Sequence, residues 1–135
     1  MTFRFTARVA GVEVDPDGYF TEAGLSETED GTGFILSFMS GEEDLDDQEV
    51  ALGVDTHCLV TAGQGTAYGC VREAVMEGNV LRVVLDPEAM ESLRLEDSEI
   101  EAVIEAPAQD VARLREILAQ VLAYGTDALP TRVAV

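Results

Sequence analysis

The first 85 residues of this chain alternate in polarity and are interrupted by turn sequences, as in a series of β-strands. This pattern limits the fold more than any other feature. Residues 2–14 alternate in polarity, and this alternation predicts one strand with Phe3, Phe5, Ala7, Val9 and Gly11 on a single face. The DPDG sequence at residues 15–18 is typical of a tight turn. Residues 19–25 are therefore predicted to form a second strand that pairs back on the first.

Further strands are predicted up to residue 85. The nearly continuous apolar run at residues 34–39 predicts a central strand, residues 48–52 predict a weak strand, and residues 56–61 predict another. A Gly-rich loop is predicted at residues 62–67. Residues 68–76 and 79–85 predict a hairpin that turns at the EGN sequence of residues 77–79.

Helices are predicted only in the last third of the chain. Asp86 and Pro87 are typical of a helix start, because aspartate caps free N–H groups and proline suits the first helical position. Residues 87–93 are therefore predicted to form a short helix, and residues 98–106 alternate as a half-exposed strand. A final helix is predicted at residues 107–123. Its apolar side chains at helical spacing are Val111, Leu114, Ile117, Leu118, Val121 and Leu122.

The order of these elements predicts an α+β fold. We expect an antiparallel sheet or sandwich of about seven to eight strands, followed by helix, strand and helix, with the C-terminal helix packed on the sheet. Residues 1–125 are expected to form a single α+β domain, because no linker divides them and 135 residues suit one domain. Residues 126–135 are expected to be a loose C-terminal tail or a short edge strand.

Charge is distributed very unevenly along the chain. Residues 9–71 contain fourteen Asp and Glu and no Lys or Arg, within a net charge of −19. Such a distribution favours a cationic partner and speeds its approach. It argues against nucleic acid and against an anionic membrane as partners, since both are bound by clustered cations. Salt adaptation stays open as an alternative source of the acidity, because the chain contains eight Arg and no Lys.

Neither a leader sequence nor a membrane span is expected. The first residues alternate in polarity, and no run approaches the ~20 apolar residues of a membrane helix. Cys58 and Cys70 are too few for a disulfide framework. We therefore expect a cytoplasmic protein that binds no membrane and is a monomer or a weak homodimer.

Residue patterns that would indicate catalysis or cofactor binding are weak. His57 and Cys58 are adjacent, and adjacent strand residues point to opposite faces, so they do not suit a base and nucleophile pair. One of the two is expected to be buried and the other exposed. The acids at residues 15–17 and 42–47 fit no twelve-residue calcium loop, and one His with two Cys lacks zinc-site spacing. We expect no enzyme, no cofactor and no metal.

Two segments are candidate partner-binding sites. Residues 41–49 include six acidic side chains, which suit an Arg/Lys-lined cleft, with Leu45 as a small apolar anchor. The loop that ends at Tyr68 would supply a polar rim and an aromatic hot spot. A solvated loop and a packed tyrosine are the alternatives. The predicted partner-binding residues are Glu42, Glu43, Asp44, Leu45, Asp46, Asp47, Gln64 and Tyr68.

Several short sequences together resemble a known family. They are FRFTA at 3–7, VEVDPDG at 12–18, Asp55-Thr56, Gln64-Gly65, Tyr68-Gly69 and LDPEA at 85–89. In this order, and over about residues 1–123, the chain is similar to immunity protein family 10 of bacterial polymorphic toxin systems. The resemblance implies a small cytoplasmic α+β protein that binds and neutralises a cognate secreted toxin, often one that acts on nucleic acid.

The chain departs from the family pattern at two positions, and two functional hypotheses follow. His57 stands where an aromatic residue is expected and Cys70 where a glycine is expected, both within the segment that the resemblance marks as a recognition surface. The first hypothesis is a non-enzymatic inhibitor of a basic toxin domain, such as a nuclease. The alternative is a small-molecule-binding domain whose concave sheet face forms a pocket, lined by Phe5, Phe34, Phe38 or Tyr68.

Overall fold

The first fourteen residues form two strands in different sheets. The computed structural model describes residues 2–14, 21–29, 33–40, 57–61, 65–123 and 132–135. Strand β1 (Thr2–Ala7) ends before Arg8, and β2 (Val9–Val14) begins after it. The prediction of one continuous strand is wrong, because the chain changes sheet at Arg8 and the alternation shifts by one residue. Ala10 is therefore buried, whereas Gly11 is exposed.

Sheet B is a five-stranded antiparallel sheet built from consecutive strands. After β2 these are β3 (Thr21–Ser26), β4 (Ile35–Ser40), β5 (Cys58–Thr61) and β6 (Thr66–Tyr68), which follow one another across the sheet in that order. Strand β3 pairs back on β2, as predicted, and β4 is the central strand that the apolar run indicated. The predicted turn at residues 15–18 and the predicted strand at residues 48–52 lie outside the described residues.

Sheet A is a five-stranded mixed sheet that contains β1 and four later strands, which are β7 (Val71–Glu77), β8 (Val80–Leu85), β9 (Glu99–Ile104) and β10 (Arg132–Ala134). Their order across the sheet is β1-β9-β8-β7-β10. Strands β7–β9 pair antiparallel, but β1 runs parallel to β9, with Phe3 opposite Ile100, and β10 runs parallel to β7. The expectation of purely antiparallel pairing is therefore wrong for this sheet, because both of its outer strands reach it by long connections.

The described residues thus contain ten strands in two sheets, more than the seven to eight predicted. The β7–β8 hairpin is confirmed, and Gly78 accepts the positive φ of 61° that its turn requires. Its first strand begins at Val71 and not at residue 68. Gly69, with a φ of 62°, separates β6 from β7. Strand β6 begins at Thr66, so the last two residues of the loop predicted at residues 62–67 belong to this strand.

Helix α2 (Ala108–Leu122) packs on strands β2, β3 and β4, which confirms the predicted C-terminal helix and its packing on a sheet. Its buried side chains are Leu114, Ile117, Leu118, Val121 and Leu122. They meet the inner face of sheet B, where Leu25, Leu36 and Phe38 are buried. Neither described helix is long and apolar enough to cross a membrane.

A short helical segment between strands β8 and β9 of sheet A contacts sheet B. It consists of a 3₁₀ turn (Pro87–Ala89) and helix α1 (Met90–Leu93), as the sequence predicted for residues 87–93. Asp86 caps it by accepting a hydrogen bond from the Glu88 N–H at 3.0 Å. At its end the Leu93 carbonyl accepts a hydrogen bond of 2.7 Å from the buried Thr61 hydroxyl, which ties α1 to strand β5.

We expect the Asp86→Ala variant to lose about 1–2 kcal/mol of unfolding free energy, because one carboxylate makes two contacts. Asp86 caps the 3₁₀ turn and also accepts a 2.6 Å hydrogen bond from Arg72 Nη2. Asp86→Asn is the matched control, since it keeps the cap and loses only the ion pair. Urea unfolding of the three proteins measures the effect. Equal stability of all three would contradict this role of Asp86.

Candidate functional site

Tyr68 is the only predicted partner-binding residue that lies within the described residues. It ends the edge strand β6, and 48% of its surface is exposed, so the alternative of a packed tyrosine is wrong. Glu42, Glu43, Asp44, Leu45, Asp46, Asp47 and Gln64 lie outside the described residues.

Tyr68 belongs to the face of sheet B opposite helix α2, which we call the outer face. Strand register aligns one residue from each strand into a row that crosses the whole sheet. The members of this row are Glu13, Glu22, Met39, Cys58 and Tyr68. Every one of them is partly or fully exposed. Two acids at one end and an aromatic at the other, far apart in sequence, thus share one surface.

A trough runs beside this row. The neighbouring row contains Gly11, Gly24 and Ser37, whose small size leaves a cavity of about 330 Å³ between higher side chains. Val9 and Ile35 line one side of the cavity, and Glu13 and Glu22 line the other. The full lining is Val9, Gly11, Val12, Glu13, Glu22, Gly24, Leu25, Ser26, Ile35, Leu36 and Ser37.

The two sheets differ in how their charges are neutralised. On sheet A, Arg4 lies 3.8 Å from Glu101, and Arg82 lies 2.7 Å from Glu99. Arg82 lowers the pKa of Glu99, mainly through the hydrogen bond between the two side chains. The strands of sheet B contain no Lys or Arg at all. Acidic side chains occur on both sheets, but only on sheet A do arginines of the described chain pair with them.

His57 and Cys70 lie in the core and not on a recognition surface, which corrects the interpretation drawn from the family pattern. Both are almost fully buried, at 0% and 2% exposure. His57 Nε2 accepts a 3.0 Å hydrogen bond from the Val71 N–H. Burial, assisted by the Arg72 charge, lowers the pKa of His57 to about 4, so the ring is neutral at physiological pH.

The two thiols are poor candidates for nucleophiles. Cys58 is half-buried beside the fully buried His57. Burial raises its pKa, and a side-chain hydrogen bond with Tyr68 acts in the opposite direction. Burial raises the pKa of Cys70 to about 12. Thiols with raised pKa values stay protonated at neutral pH, and the thiolate is the reactive form.

The four aromatic residues of the alternative hypothesis do not line one cavity. Phe5 and Phe34 pack together with ring centroids 4.8 Å apart, near the junction of the two sheets. Phe5 borders a cleft of about 560 Å³ and Phe34 a separate cleft of about 240 Å³. Phe38 is fully buried beneath helix α2, and Tyr68 is on the outer face. The described residues thus do not bring these four aromatic side chains together in one pocket.

The fold and the candidate site define a two-sheet α+β protein with ion pairs on sheet A and no Lys or Arg in the described strands of sheet B. A family model described as Immunity protein 10 matches residues 6–112. The chain belongs to the immunity protein 10 family, as its short sequence motifs indicated. Searches of curated proteins and of solved structures found no match. Membership implies an immunity protein that acts against a toxin.

Proposed function

We propose that this chain neutralises a cognate bacterial toxin by binding a basic surface of the toxin domain, without catalysis. The observation that carries the proposal is the family match over residues 6–112. The absence of Lys and Arg from residues 9–71 supports an acidic binding surface, because charge complementarity speeds association and suppresses wrong partners. Binding in the cytoplasm, as a monomer or a weak homodimer, completes the proposal.

Two surfaces support this function in different ways. The acidic loop of Glu42, Glu43, Asp44, Asp46 and Asp47 has the charge to steer a basic toxin toward the protein. Tyr68 has the exposure and the amphipathic ring of an interface hot spot. We propose that the loop mainly raises the association rate and that contacts near Tyr68 set the residence time.

The function is tested by identifying a secreted protein encoded next to this gene and expressing its C-terminal domain. We expect expression of that domain to arrest growth, co-expression of this chain to restore growth, and the two purified proteins to form a stoichiometric complex. A toxic neighbouring domain that neither binds this chain nor is neutralised by it would overturn the proposal.

The role of the loop is tested by measuring association rates. We expect replacement of Glu42, Glu43, Asp44 and Asp46 by lysine to slow association with the toxin domain about tenfold or more at low salt and to flatten its salt dependence. The matched control replaces four exposed acids outside sheet B by lysine. These are Glu77, Glu96, Glu105 and Glu116. Equal rates for the two variants would assign steering to net charge and not to the loop.

A further inference from the structure

We propose that the toxin docks on the outer face of sheet B and places one arginine side chain in the trough, beside Glu13 and Glu22. This inference rests on the proposed function and adds to it a surface and the chemistry of the contact. It concerns different residues from those of the acidic loop, so the two can be tested separately.

Two like charges face each other across the first two strands of sheet B. Glu13 and Glu22 are direct cross-strand partners, so their side chains start about 5 Å apart. Like charges in this arrangement destabilise a sheet. Since no strand of sheet B contains Lys or Arg, the sheet itself supplies no cation between them. A cation from a partner would turn this repulsion into attraction.

The carboxylate of Glu22 leans over the trough. Its Oε1 lies 4.0 Å from the point where a Cβ on Gly24 would stand, which places an acceptor above the glycine row. The space above Gly11 is open, since a Cβ at that position would meet nothing within 4 Å. A side chain that enters from outside therefore finds both room and a negative charge.

The shape and polarity of the trough favour arginine. A planar guanidinium lies flat on a floor of glycine backbone, and its fork of N–H donors can serve two carboxylates at once. Ser37 lines the same trough, and its buried hydroxyl oxygen has no hydrogen-bond partner among the described residues. Val9 and Ile35 on the opposite side of the trough would pack on the aliphatic stem.

The rest of the outer face extends this contact toward Tyr68. From β2 to β6 the sheet is roughly 19 Å wide, given the usual spacing of neighbouring strands. Met39 and Cys58 fill the middle of the row with adaptable, weakly polar surface. A salt-bridged anchor at one edge and an exposed tyrosine at the other fit one side of a standard interface of about 800 Å².

The test measures the affinity of the outer-face variants for the toxin domain that the wild-type chain neutralises. We expect the Glu13→Gln/Glu22→Gln variant to bind at least tenfold more weakly. The matched control, Glu73→Gln/Glu77→Gln, removes the same charge from sheet A and should bind like wild type. Equal binding by both variants would overturn the inference while leaving the proposed function intact. Failure of the wild-type chain to bind would instead reject the proposed function.

A second variant separates docking from stability. Gly11→Val fills the trough with a residue that favours strands, at a position where an added Cβ meets nothing within 4 Å. We expect its melting temperature to equal or exceed that of wild type, while its affinity for the toxin domain falls at least tenfold. Undiminished affinity in a folded Gly11→Val protein would show that the trough is not occupied in the complex and would overturn the inference.

The unbound protein gives an independent readout. We expect Glu22→Gln to raise the melting temperature at low salt by removing the repulsion from Glu13, and this gain should shrink at high salt. Glu101→Gln, which breaks a pair with Arg4, should bring no such gain. A Glu22→Gln protein that is no more stable than wild type at low salt would contradict the like-charge pair on which the inference depends.

Discussion

Replacement of Gly65 by alanine is expected to lower the unfolding free energy by about 3 kcal/mol or more. Gly65 lies where the chain passes beneath helix α1, just before strand β6. A Cβ at this position would lie 2.6 Å from Thr61 Oγ1 and would overlap the backbone carbonyl group of Leu93. Because that carbonyl accepts the buried Thr61 hydrogen bond, it cannot move without breaking the contact that holds α1 on β5.

The effect of Gly65→Ala is measured by urea unfolding, with Gly11→Ala as the matched control. Gly11 is in an exposed part of strand β2, where an added Cβ meets nothing within 4 Å. There the same substitution should raise stability by about 0.5–1 kcal/mol, since glycine weakens a strand interior. A Gly65→Ala protein as stable as wild type would contradict the close packing of α1 on this segment.

His57 is expected to make the protein lose about 3 kcal/mol of stability as the pH falls from 6.5 to 4. Burial lowers the pKa of the folded-state ring to about 4, whereas the unfolded chain takes up a proton near pH 6.5. Between these values the unfolded state binds more protons than the folded state. The contribution of the neutral ring is therefore fully present above pH 6.5 and is lost progressively below it.

The variant His57→Gln isolates this contribution. Its side-chain carbonyl can accept the Val71 N–H bond that His57 Nε2 accepts, but the amide does not titrate. The many carboxylates also change charge near pH 4, and they do so in both proteins. We therefore expect the stability difference between pH 7 and pH 4 to be about 3 kcal/mol larger in wild type. Parallel stability profiles in denaturant titrations would contradict the low pKa of His57.

Local patterns predicted those elements whose information lies within a few neighbouring residues. The β7–β8 hairpin, the alternation of β9 and the amphipathic helix α2 were predicted because period and turn chemistry act over short distances. The parallel pairing of β1 with β9 was missed, since the polarity pattern of residues 2–7 does not indicate which strand pairs with them or in which direction. The change of sheet at Arg8 was also missed, because no turn residue marks the end of β1.

The candidate site shows the same limit. Tyr68 was proposed as an interface hot spot, with a packed tyrosine as the alternative. Its 48% exposure excludes the packed tyrosine, and the contact with a partner stays a prediction. Glu13 and Glu22 were not predicted as site residues, since nothing in the sequence distinguishes them from the other twelve acids of residues 9–71. Only the strand register makes them direct neighbours and aligns them with Tyr68. A sequence signal did exist in the small residues Gly11 and Gly24, but its meaning depends on the pairing of their strands.

The parallel pairing of β1 with β9 has a consequence for biosynthesis. Every strand of sheet B lies before residue 70, so this meander can form soon after its last strand leaves the ribosome. Strand β1 is translated before the other nine strands, yet its partner is complete only after residue 104. The nascent chain therefore carries β1, with Phe3 and Phe5, without its sheet partner while residues 8–104 are added. We expect chaperones to shield this segment until β9 is complete.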